Sequence, residues 1–357
     1  MKKILYIGWI GYNNLGDELM YDLFKEQLQL LPVPYKLDLV NNEIRYLSNV
    51  SIEPYDAIVL GGGSILSDAS QPIQPEIINF LYQAIQAEKQ VMIWGSGTDW
   101  LSQETLAQLQ ADAALDITVP ETLQEKFRTV FTEAAWSGVR GPLTKRLFTK
   151  LTALEHIPIS GDPGFLLKKP KHPKQAPQQK TIGVNWGTAY NNVYGENEQY
   201  VEDALAKALN AFIDQGYAIY LYTVWGEDLA PTQRLYEKLT KKEHVTFDET
   251  LYHHDDLLVI LASFDFTINF KLHANYLSLA ARVPFIALGY RFKIFDFAQS
   301  INLGELVIPM SATSIDNKIQ ALAEHIQQNR TSIIETMTTH QKEYAKRLSV
   351  PFKENLF

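Results

Sequence analysis

Short apolar runs that end at glycine alternate with longer amphipathic stretches along the first half of the chain. A short apolar run bounded by glycine is typical of a buried strand, and a longer amphipathic stretch is typical of a surface helix. Strands that end in glycine-bearing loops, with helices between them, predict a parallel sheet with an open rim. The strands predicted in this half cover residues 4–9, 36–40, 55–60 and the apolar start of 90–100.

The same alternation returns in the second half, after a stretch rich in proline and lysine. Residues 168–180 contain three prolines among lysine and glutamine, which predicts a stiff, solvated linker. From residue 315 to residue 346 the chain is predicted to be largely helical. The strands predicted in this half cover residues 181–187, 217–225, 264–270, the end of 280–290, and 306–310.

Two such series predict an α/β protein with two Rossmann-like domains that face each other across a cleft. A length of 357 residues supports this division, because it favours two domains of roughly 150 residues each. The predicted boundaries are an N-terminal domain at 1–167, a linker at 168–180, a C-terminal domain at 181–312 and C-terminal helices at 313–357.

The composition excludes several kinds of protein. The chain contains no cysteine, which excludes a disulfide framework, thiolate catalysis and metal sites built on cysteine. No run approaches about 18 apolar residues, so no transmembrane helix is predicted. The net charge of −9 argues against nucleic acid as the main partner. The N-terminal apolar run is short and lacks a cleavage pattern, so it is interpreted as a first strand and the expected location is the cytoplasm.

One window, residues 271–295, is basic although the protein as a whole is acidic. It contains Lys271, Arg282, Arg291 and Lys293, together with His273, and no Asp or Glu. A local excess of cations in an acidic chain indicates an anionic ligand. His273 and Lys293 are expected at the ends of βα units, where open α/β sheets bind anions. The alternative is a buried histidine beside solvated basic residues.

In the first half, a polar loop follows the first predicted strand. It contains Asn14, Asp17 and Glu18, and the two acids open an amphipathic helix. They either complement the helix dipole or, in the case of Asp17, point toward a ligand at the strand end. The loop has neither the dinucleotide-binding glycine pattern nor a phosphate-loop lysine, so neither site is predicted.

Two further positions carry candidate chemistry at strand ends. Ser64 follows three consecutive glycines, and it can cap the next helix or bind an anion. Arg140 follows a short apolar run, where a planar guanidinium suits bidentate binding of a carboxylate or phosphate. A surface salt bridge is the alternative for Arg140. No metal site is predicted at His253 and His254, because adjacent residues on a helix point in different directions.

Five segments stand in the order found in polysaccharide pyruvyl transferases, and the chain resembles that family from about Gly8 to Phe297. They are GWIGYNNLGDE, VLGGGSIL, SGVRGP with SGDPGFLL, TIGVNWG, and KLHANYLSLAARVPFIALGYRFKIFDFA. The resemblance implies a glycosyltransferase-B-like fold. It also implies transfer of a pyruvyl group from phosphoenolpyruvate to two hydroxyls of a sugar, giving a ketal in the biosynthesis of cell-surface polysaccharide or exopolysaccharide.

The resemblance also implies roles for particular residues. The donor-site Arg, His and Lys of the family fall on Arg140, His273 and Lys293, and the acid of the polar loop falls on Asp17. His273 and Asp17 are therefore the expected catalytic residues. His273 is expected to act as acid or to stabilise the departing phosphate, and Asp17 or Glu18 is expected to accept a hydroxyl proton. The expected donor-binding residues are Arg140, Lys293, Lys271 and Ser64, and the expected acceptor-binding residues are Asn14 and Glu18. The N-terminal domain is the expected acceptor side, and the C-terminal domain is the expected donor side.

The chain departs from the family pattern at two positions. Lys271 stands where the family more often has Arg, which keeps the charge but loses the planar fork. Gly141 stands where the family more often has Asp after the Arg. These changes affect the expected donor contacts more than the expected class of reaction.

Two other functions stay open on the residues alone. One is a glycosyltransferase that uses a nucleotide sugar, although the window 271–295 contains no carboxylate to bind a ribose. The other is a non-catalytic module that binds a phosphorylated sugar. In the preferred interpretation phosphoenolpyruvate is the donor substrate, no cofactor or metal is required, and the partner is a saccharide acceptor. Attachment of the acceptor to a lipid, peripheral membrane contact and oligomeric state stay open.

Overall fold

The computed structural model describes residues 1–171 and 179–357, and these form two compact units. The first unit consists of Met1–Tyr12, Asp17–Leu166 and Lys342–Phe357, and the second consists of Asn13–Gly16 and Leu167–Gln341. Residues 172–178 of the predicted linker lie outside the described residues. The boundaries predicted from the sequence included neither the return of the C-terminus to the first unit nor the transfer of Asn13–Gly16 to the second.

The first unit is built on a five-stranded sheet in which every strand pairing is parallel. Its order is β2-β1-β3-β4-β5, so the chain starts near one side and crosses to the other. The strands are β1 (Lys2–Gly8), β2 (Tyr35–Asn41), β3 (Ala57–Leu60), β4 (Gln90–Ser96) and β5 (Trp136–Val139). The helices are α1 (Leu15–Leu28), α2 (Ile44–Leu47), α3 (Pro75–Gln86), α4 (Gln103–Gln110), α5 (Glu121–Glu133) and α6 (Pro142–Thr152).

The second unit is built on a six-stranded parallel sheet with the order β11-β10-β9-β6-β7-β8. The strands are β6 (Thr181–Asn185), β7 (Ala218–Tyr222), β8 (Val245–Asp248), β9 (Phe266–Asn269), β10 (Phe285–Gly289) and β11 (Val307–Pro309). The helices are α7 (Glu198–Asp214), α8 (Leu229–Lys238), α9 (His254–Leu261), α10 (Leu272–Ala281), α11 (Phe292–Ser300) and α12 (Ile315–Lys353). Two parallel sheets flanked by helices confirm the predicted α/β class.

One strand, β8, was not predicted from the sequence. It pairs only with β7 at the edge of the sheet, and none of its residues is fully buried. An edge strand needs no continuous apolar run, because only part of its surface packs against the core. Short apolar runs therefore mark the central strands, such as the fully buried β3 and β6, and do not mark this one.

Helix α10 is buried around nearly its whole circumference. A helix that is apolar on all sides belongs in an interior, in contrast to an amphipathic surface helix. Only two residues, Phe270 and Lys271, separate the end of β9 from the start of α10, so the first turn of α10 lies at the carboxyl end of the central strands. This packing fixes the position of His273, which lies in that first turn.

The C-terminal end of α12 completes the core of the first unit. Phe352 packs edge-on against Trp94, with ring centroids 5.7 Å apart, and against Phe24 at 5.5 Å. The indole N–H of Trp94 donates a hydrogen bond of 3.0 Å to the carbonyl of Leu348. The helix is interrupted at Asn329, where φ is −115°. Across the described residues, no helix combines the length and apolar character that crossing a bilayer requires.

Replacement of Phe352 tests whether the C-terminal segment is part of this core. Phe352 is 1% exposed, so Phe352→Ala should lower the free energy of unfolding by about 3–5 kcal/mol in a denaturant titration. Leu30 belongs to the same unit and is 55% exposed, so Leu30→Ala is the control and should change it by less than about 0.5 kcal/mol. Equal stability of Phe352→Ala and Leu30→Ala would show that the first unit is stable without this segment.

Candidate functional site

Arg140 and Ser64, both predicted from the sequence, meet in the first unit. Arg140 follows β5 and is only 1% exposed. Its Nη1 donates a hydrogen bond of 2.9 Å to Ser64 Oγ, and its Nη2 donates one to the carbonyl of Thr98. The guanidinium is therefore a buried group held between the loops that follow β3 and β4. This geometry replaces the surface salt bridge that the sequence left as an alternative.

A glycine makes room for this guanidinium. A Cβ atom at Gly97 would stand 2.5 Å from Cζ and Nε of Arg140, closer than real side-chain contacts allow. Arg140 can therefore lie against the backbone here only because position 97 has no side chain. The sequence showed this glycine as part of a strand-end loop, but it did not show which side chain would occupy the space.

Asp17 lies beside the loop that follows β3, as expected for an acid at the end of the first strand. Its Oδ1 is 3.9 Å from the position that a Cβ atom on Gly63 would take. The pKa of the buried Tyr6 phenol is raised, first by burial and also by the negative charges of Asp17 and Asp162. Asp17 thus belongs to a polar region at the carboxyl ends of β1 and β3.

Glu18 is engaged within its own loop. The backbone N–H of Gly11 donates a hydrogen bond of 2.9 Å to Glu18 Oε1. This contact closes the loop between β1 and α1, and it uses one carboxylate oxygen of the side chain. Contact of Glu18 with an acceptor stays a prediction.

The short segment Asn13–Gly16 belongs to the second unit. Asn14 forms an antiparallel bridge with Trp225, and the N–H of Leu15 donates a hydrogen bond of 3.0 Å to the carbonyl of Val224. The N–H of Gly16 donates a hydrogen bond of 3.1 Å to Asn14 Oδ1. Local periodicity could not have predicted this placement, because a backbone bridge to a distant part of the chain imposes no pattern on the residues that form it.

His273 lies directly against Gly16. A Cβ atom at Gly16 would overlap the imidazole at Nδ1, Cγ and Cε1, so the ring occupies the space that any other residue at position 16 would fill. The ring centroid of His273 is 6.0 Å from that of Tyr276, one turn further along α10. The second unit therefore brings together two residues predicted from the sequence, Asn14 and His273, with Gly16 between them.

Lys271 is held by partners in its own unit. Its Nζ donates a hydrogen bond of 2.5 Å to the carbonyl of Thr188 and lies 3.1 Å from Oδ1 of Asp228. The same ammonium lies over the ring of Trp225, 4.8 Å from the centroid. The window 271–295 lacks acids in the sequence, but folding brings Asp228 into contact with its first cation. Contact of Lys271 with a donor stays a prediction, and it would compete with these partners.

Asp228 was not predicted from the sequence, where it is one acid in an ordinary loop. It is fully buried, and its Oδ1 accepts a hydrogen bond of 3.0 Å from the N–H of Thr188. Burial raises the pKa of the Asp228 carboxyl to about 6, and the charge of Lys271 opposes that rise. The carboxylate therefore lies at a position where its charge is costly and is balanced mainly by one lysine.

Lys293 and Arg291 lie at the carboxyl end of β10, at the start of α11. The guanidinium of Arg291 is 5.1 Å, and the ammonium of Lys293 is 5.4 Å, from the ring centroid of Tyr290. That ring is stacked on Phe270 with centroids 4.3 Å apart. Arg282 is different, because it caps the opposite end of α10 and donates a hydrogen bond of 2.9 Å to the carbonyl of Leu279. The basic window thus supplies a pair of cations at this strand end and not a continuous basic surface.

His253 and His254 lie closer together than the sequence predicted. His253 stands before α9 as its cap, and its ring centroid lies 3.9 Å from that of His254. The expectation that the two side chains point in different directions was wrong, because helical geometry applies only to His254. The absence of a metal site stays a prediction.

The raised pKa of Asp228 has a measurable consequence. Because the folded state holds this proton more tightly than the unfolded chain, stability from this group is complete below about pH 4 and is lost as the pH rises through about 6. Relative to Asp228→Asn, the wild-type protein should lose roughly 3 kcal/mol of its free energy of unfolding across that window. Denaturant titrations of both proteins at a series of pH values measure the difference.

Asp203 provides a control of opposite sign in the same unit. Its pKa is lowered mainly by a hydrogen bond from Lys238, so its stabilising contribution is present at neutral pH and is lost on acidification. The wild-type protein should therefore gain stability relative to Asp203→Asn as the pH rises. The free energy of unfolding of wild type minus that of Asp228→Asn should fall as the pH rises. If this difference stays constant or grows instead, burial does not control the charge of Asp228.

Three solved structures share this architecture, and two of them contain UDP. A variant of the protein Os79 from O. sativa, in complex with UDP, is similar with a TM-score of 0.60 and 9% identity, covering 100% of both chains. A putative UDP-N-acetylglucosamine 2-epimerase from Listeria monocytogenes has a TM-score of 0.57 and 10% identity, covering 99% of this chain and 97% of that one. S. aureus MnaA with UDP has a TM-score of 0.54 and 13% identity, covering 100% and 98%. These similarities show the glycosyltransferase-B-like fold.

The amino-acid sequence has closer relatives. The amylovoran biosynthesis protein AmsJ of Erwinia amylovora is 24% identical over 278 residues, which cover 71% of this chain. The match spans 61% of the length of AmsJ. A sequence model of the family described as polysaccharide pyruvyl transferase matches residues 14–291, from the loop at Asn14 to the start of α11. The matched region contains Asp17, Arg140 and His273, and the chain belongs to the polysaccharide pyruvyl transferase family.

Proposed function

We propose that this protein transfers a pyruvyl group from phosphoenolpyruvate to two hydroxyls of a sugar, forming a cyclic ketal during polysaccharide biosynthesis. The observation that carries the proposal is the position of His273. It lies in the first turn of α10, against the backbone of Gly16, inside the region shared with the family. A helix start presents backbone N–H groups to an anion, and an imidazole there can exchange a proton near neutral pH.

Phosphoenolpyruvate is an anion with a carboxylate and a phosphate, so an acidic protein must supply cations locally. In the first unit, Arg140 is positioned by Ser64 and by the carbonyl of Thr98. In the second unit, Lys293 lies at the carboxyl end of β10. We assign donor binding to Arg140 and Lys293, with Ser64 orienting the guanidinium. Lys271 already contacts Asp228, so its predicted contact with the donor would have to compete with that ion pair.

The reaction requires proton transfers that these residues can perform. The methylene carbon of the donor gains a proton, one sugar hydroxyl adds to the neighbouring carbon, and the second hydroxyl then displaces phosphate. The two sugar hydroxyls lose two protons. One offsets the proton that the methylene carbon gains as it becomes a methyl group, and the other leaves with the phosphate. We assign His273 as the acid that protonates the methylene carbon or the departing phosphate, and Asp17 as the acceptor of a hydroxyl proton.

The proposal is tested by incubation with phosphoenolpyruvate and a panel of galactosides, mannosides and glycans that contain N-acetylmannosamine. Mass spectrometry should detect a pyruvyl adduct on one class of acceptor, and phosphate should be released in equal amount. A parallel incubation replaces phosphoenolpyruvate with UDP-sugars. Sugar transfer without any pyruvyl adduct would favour a glycosyltransferase, and binding without turnover of either donor would favour a binding module.

Substitution of His273 separates catalysis from donor binding. His273→Ala should reduce the single-turnover rate by about 10²–10⁴-fold while donor affinity changes much less, because proton transfer contributes to the transition state and not to the bound ground state. Gly16→Ala should lower the rate in the same direction, because its methyl group would displace the imidazole. Single-turnover kinetics and calorimetric titration of the donor provide the two measurements.

Gly304→Ala is the matched control. A Cβ atom at Gly304 meets nothing within 4 Å, so this variant should keep both the rate and the donor affinity of the wild-type protein. Nearly unchanged turnover in His273→Ala would assign the histidine to packing. A parallel loss of affinity and kcat/KM would instead assign it to phosphate binding.

A further inference from the structure

Tyr190 stands on the loop that follows β6, and it is 62% exposed. No other Phe, Tyr or Trp side chain in the described part of the chain is exposed to this extent. Tyr190 and Asn191 both have left-handed backbone conformations, with φ of 53° and 57°. Asn adopts this conformation readily, but it is unfavourable for a bulky residue such as Tyr190, where it persists only if the surroundings enforce it. An exposed ring held in this way points to a binding role.

Glu198 enforces the conformation of this loop. Its buried carboxylate accepts hydrogen bonds from the N–H of Ala189 at 2.5 Å and from the N–H of Asn191 at 3.1 Å. It also accepts one of 2.9 Å from the hydroxyl of Thr188. In return, the N–H of Glu198 donates a hydrogen bond of 3.1 Å to Asn191 Oδ1. Charge-assisted contacts of this kind fix the loop, so Tyr190 is presented in one position.

The neighbour of Tyr190 is a second aromatic residue, Trp225, on the loop that follows β7. The two rings are nearly perpendicular, with an interplanar angle of 88° and centroids 6.1 Å apart. Lys271 lies over the Trp225 ring, and the backbone of Trp225 is bridged to Asn14. Trp225 is therefore held on two sides, and together with Tyr190 it forms an aromatic pair at the rim of the second unit.

This pair lies beside the proposed acid. The backbone of Asn14 forms a bridge with Trp225, and the Oδ1 atom of Asn14 accepts a hydrogen bond from the N–H of Gly16. The imidazole of His273 packs on Gly16. In the sheet order, β6 lies between β9 and β7, so the segments that carry His273, Tyr190 and Trp225 follow three adjacent parallel strands. A ligand on the aromatic pair would therefore be bound at the same rim as His273.

The charges around the pair favour a neutral ligand with hydroxyl groups. Desolvation and the nearby carboxylate of Glu227 raise the pKa of the Tyr190 phenol, and that carboxylate can accept hydrogen bonds. The cation beside Trp225, Lys271, is already in contact with Asp228 and with the carbonyl of Thr188. A carboxylate in such surroundings repels phosphate but accepts hydrogen bonds from sugar hydroxyls, while aromatic rings bind the apolar face of a sugar.

We propose that Tyr190 and Trp225 form a carbohydrate subsite that binds a pyranose residue of the acceptor glycan. The apolar face of the sugar stacks on Tyr190, and its hydroxyls point toward Glu227. This inference rests on the proposed function, because it states where the acceptor of that reaction is bound. It places acceptor recognition on the second unit, with Asn14 as its nearest predicted residue.

The test measures sugar binding independently of pyruvyl transfer. Saturation-transfer NMR uses the methyl glycosides of galactose, mannose and N-acetylmannosamine, without donor, on the full-length protein. Wild type should transfer saturation to the ring C–H protons of at least one glycoside, and Tyr190→Phe should keep this transfer because it keeps the ring. Tyr190→Ala should bind that glycoside about tenfold or more weakly. Tyr200→Ala, an exposed aromatic on α7 of the same unit, should match wild type.

Three results would overturn the subsite: equal binding by Tyr190→Ala and wild type, binding of none of the three glycosides by wild type, or saturation of the base protons of UMP that depends on Tyr190. The last result would identify a nucleotide site.

With an acceptor that is pyruvylated, Tyr190→Ala should raise the KM for that acceptor about tenfold and leave the KM for phosphoenolpyruvate unchanged. Glycoside binding that depends on Tyr190, without any pyruvyl transfer, would overturn the proposed reaction and leave the subsite standing.

Discussion

The largely buried ion pair between Lys271 and Asp228 connects three loops on which the candidate site of the second unit depends. Thr188 follows β6, Asp228 follows β7 and Lys271 follows β9, and the ammonium contacts the other two within 3.1 Å. Such a pair does not guarantee stability, because desolvation of both charges can cost as much as their attraction gains. Its clearer effect is to fix geometry. If one partner were removed, the other would be left as an uncompensated charge, so the three loops must keep their present arrangement.

Close approach to glycine is a second constraint, and it operates in each unit separately. Gly97 allows the guanidinium of Arg140 to lie against a backbone, and Gly16 does the same for the imidazole of His273. A functional side chain packed against bare backbone has little freedom to change its rotamer, because the surrounding atoms occupy the alternative positions. Arg140 and His273, assigned to donor binding and acid catalysis, are therefore oriented by neighbouring glycines that have no side chain.

The sequence predicted those parts of the molecule that follow from local periodicity. Central strands such as β3 and β6 are fully buried and carry short apolar stretches, and α10 follows β9 closely, so these elements and the residues at their ends could be located. Asp228 and Glu198 could not be found in this way, because a buried acid that supports a loop resembles any surface acid until its partners are known. The placement of Asn14 was beyond local analysis for the same reason. Tyr190 gave no periodic pattern, since its role depends on a backbone conformation that only the structure shows.

Charge is distributed unevenly along the rim of the second unit, although the protein is acidic overall. On the side of β10, Arg291 and Lys293 lie near the ring of Tyr290. On the side of β6 and β7, Lys271 is in contact with Asp228, and Glu227 adds a negative charge near Tyr190. The first side attracts anions, as the donor of the proposed reaction requires, and the second side can accept hydrogen bonds from the hydroxyls of the proposed acceptor. His273, on the helix that follows β9, stands between these two sides in the sheet order. An acid at the boundary between a cationic and an acidic region can serve a reaction in which an anion and a sugar exchange protons.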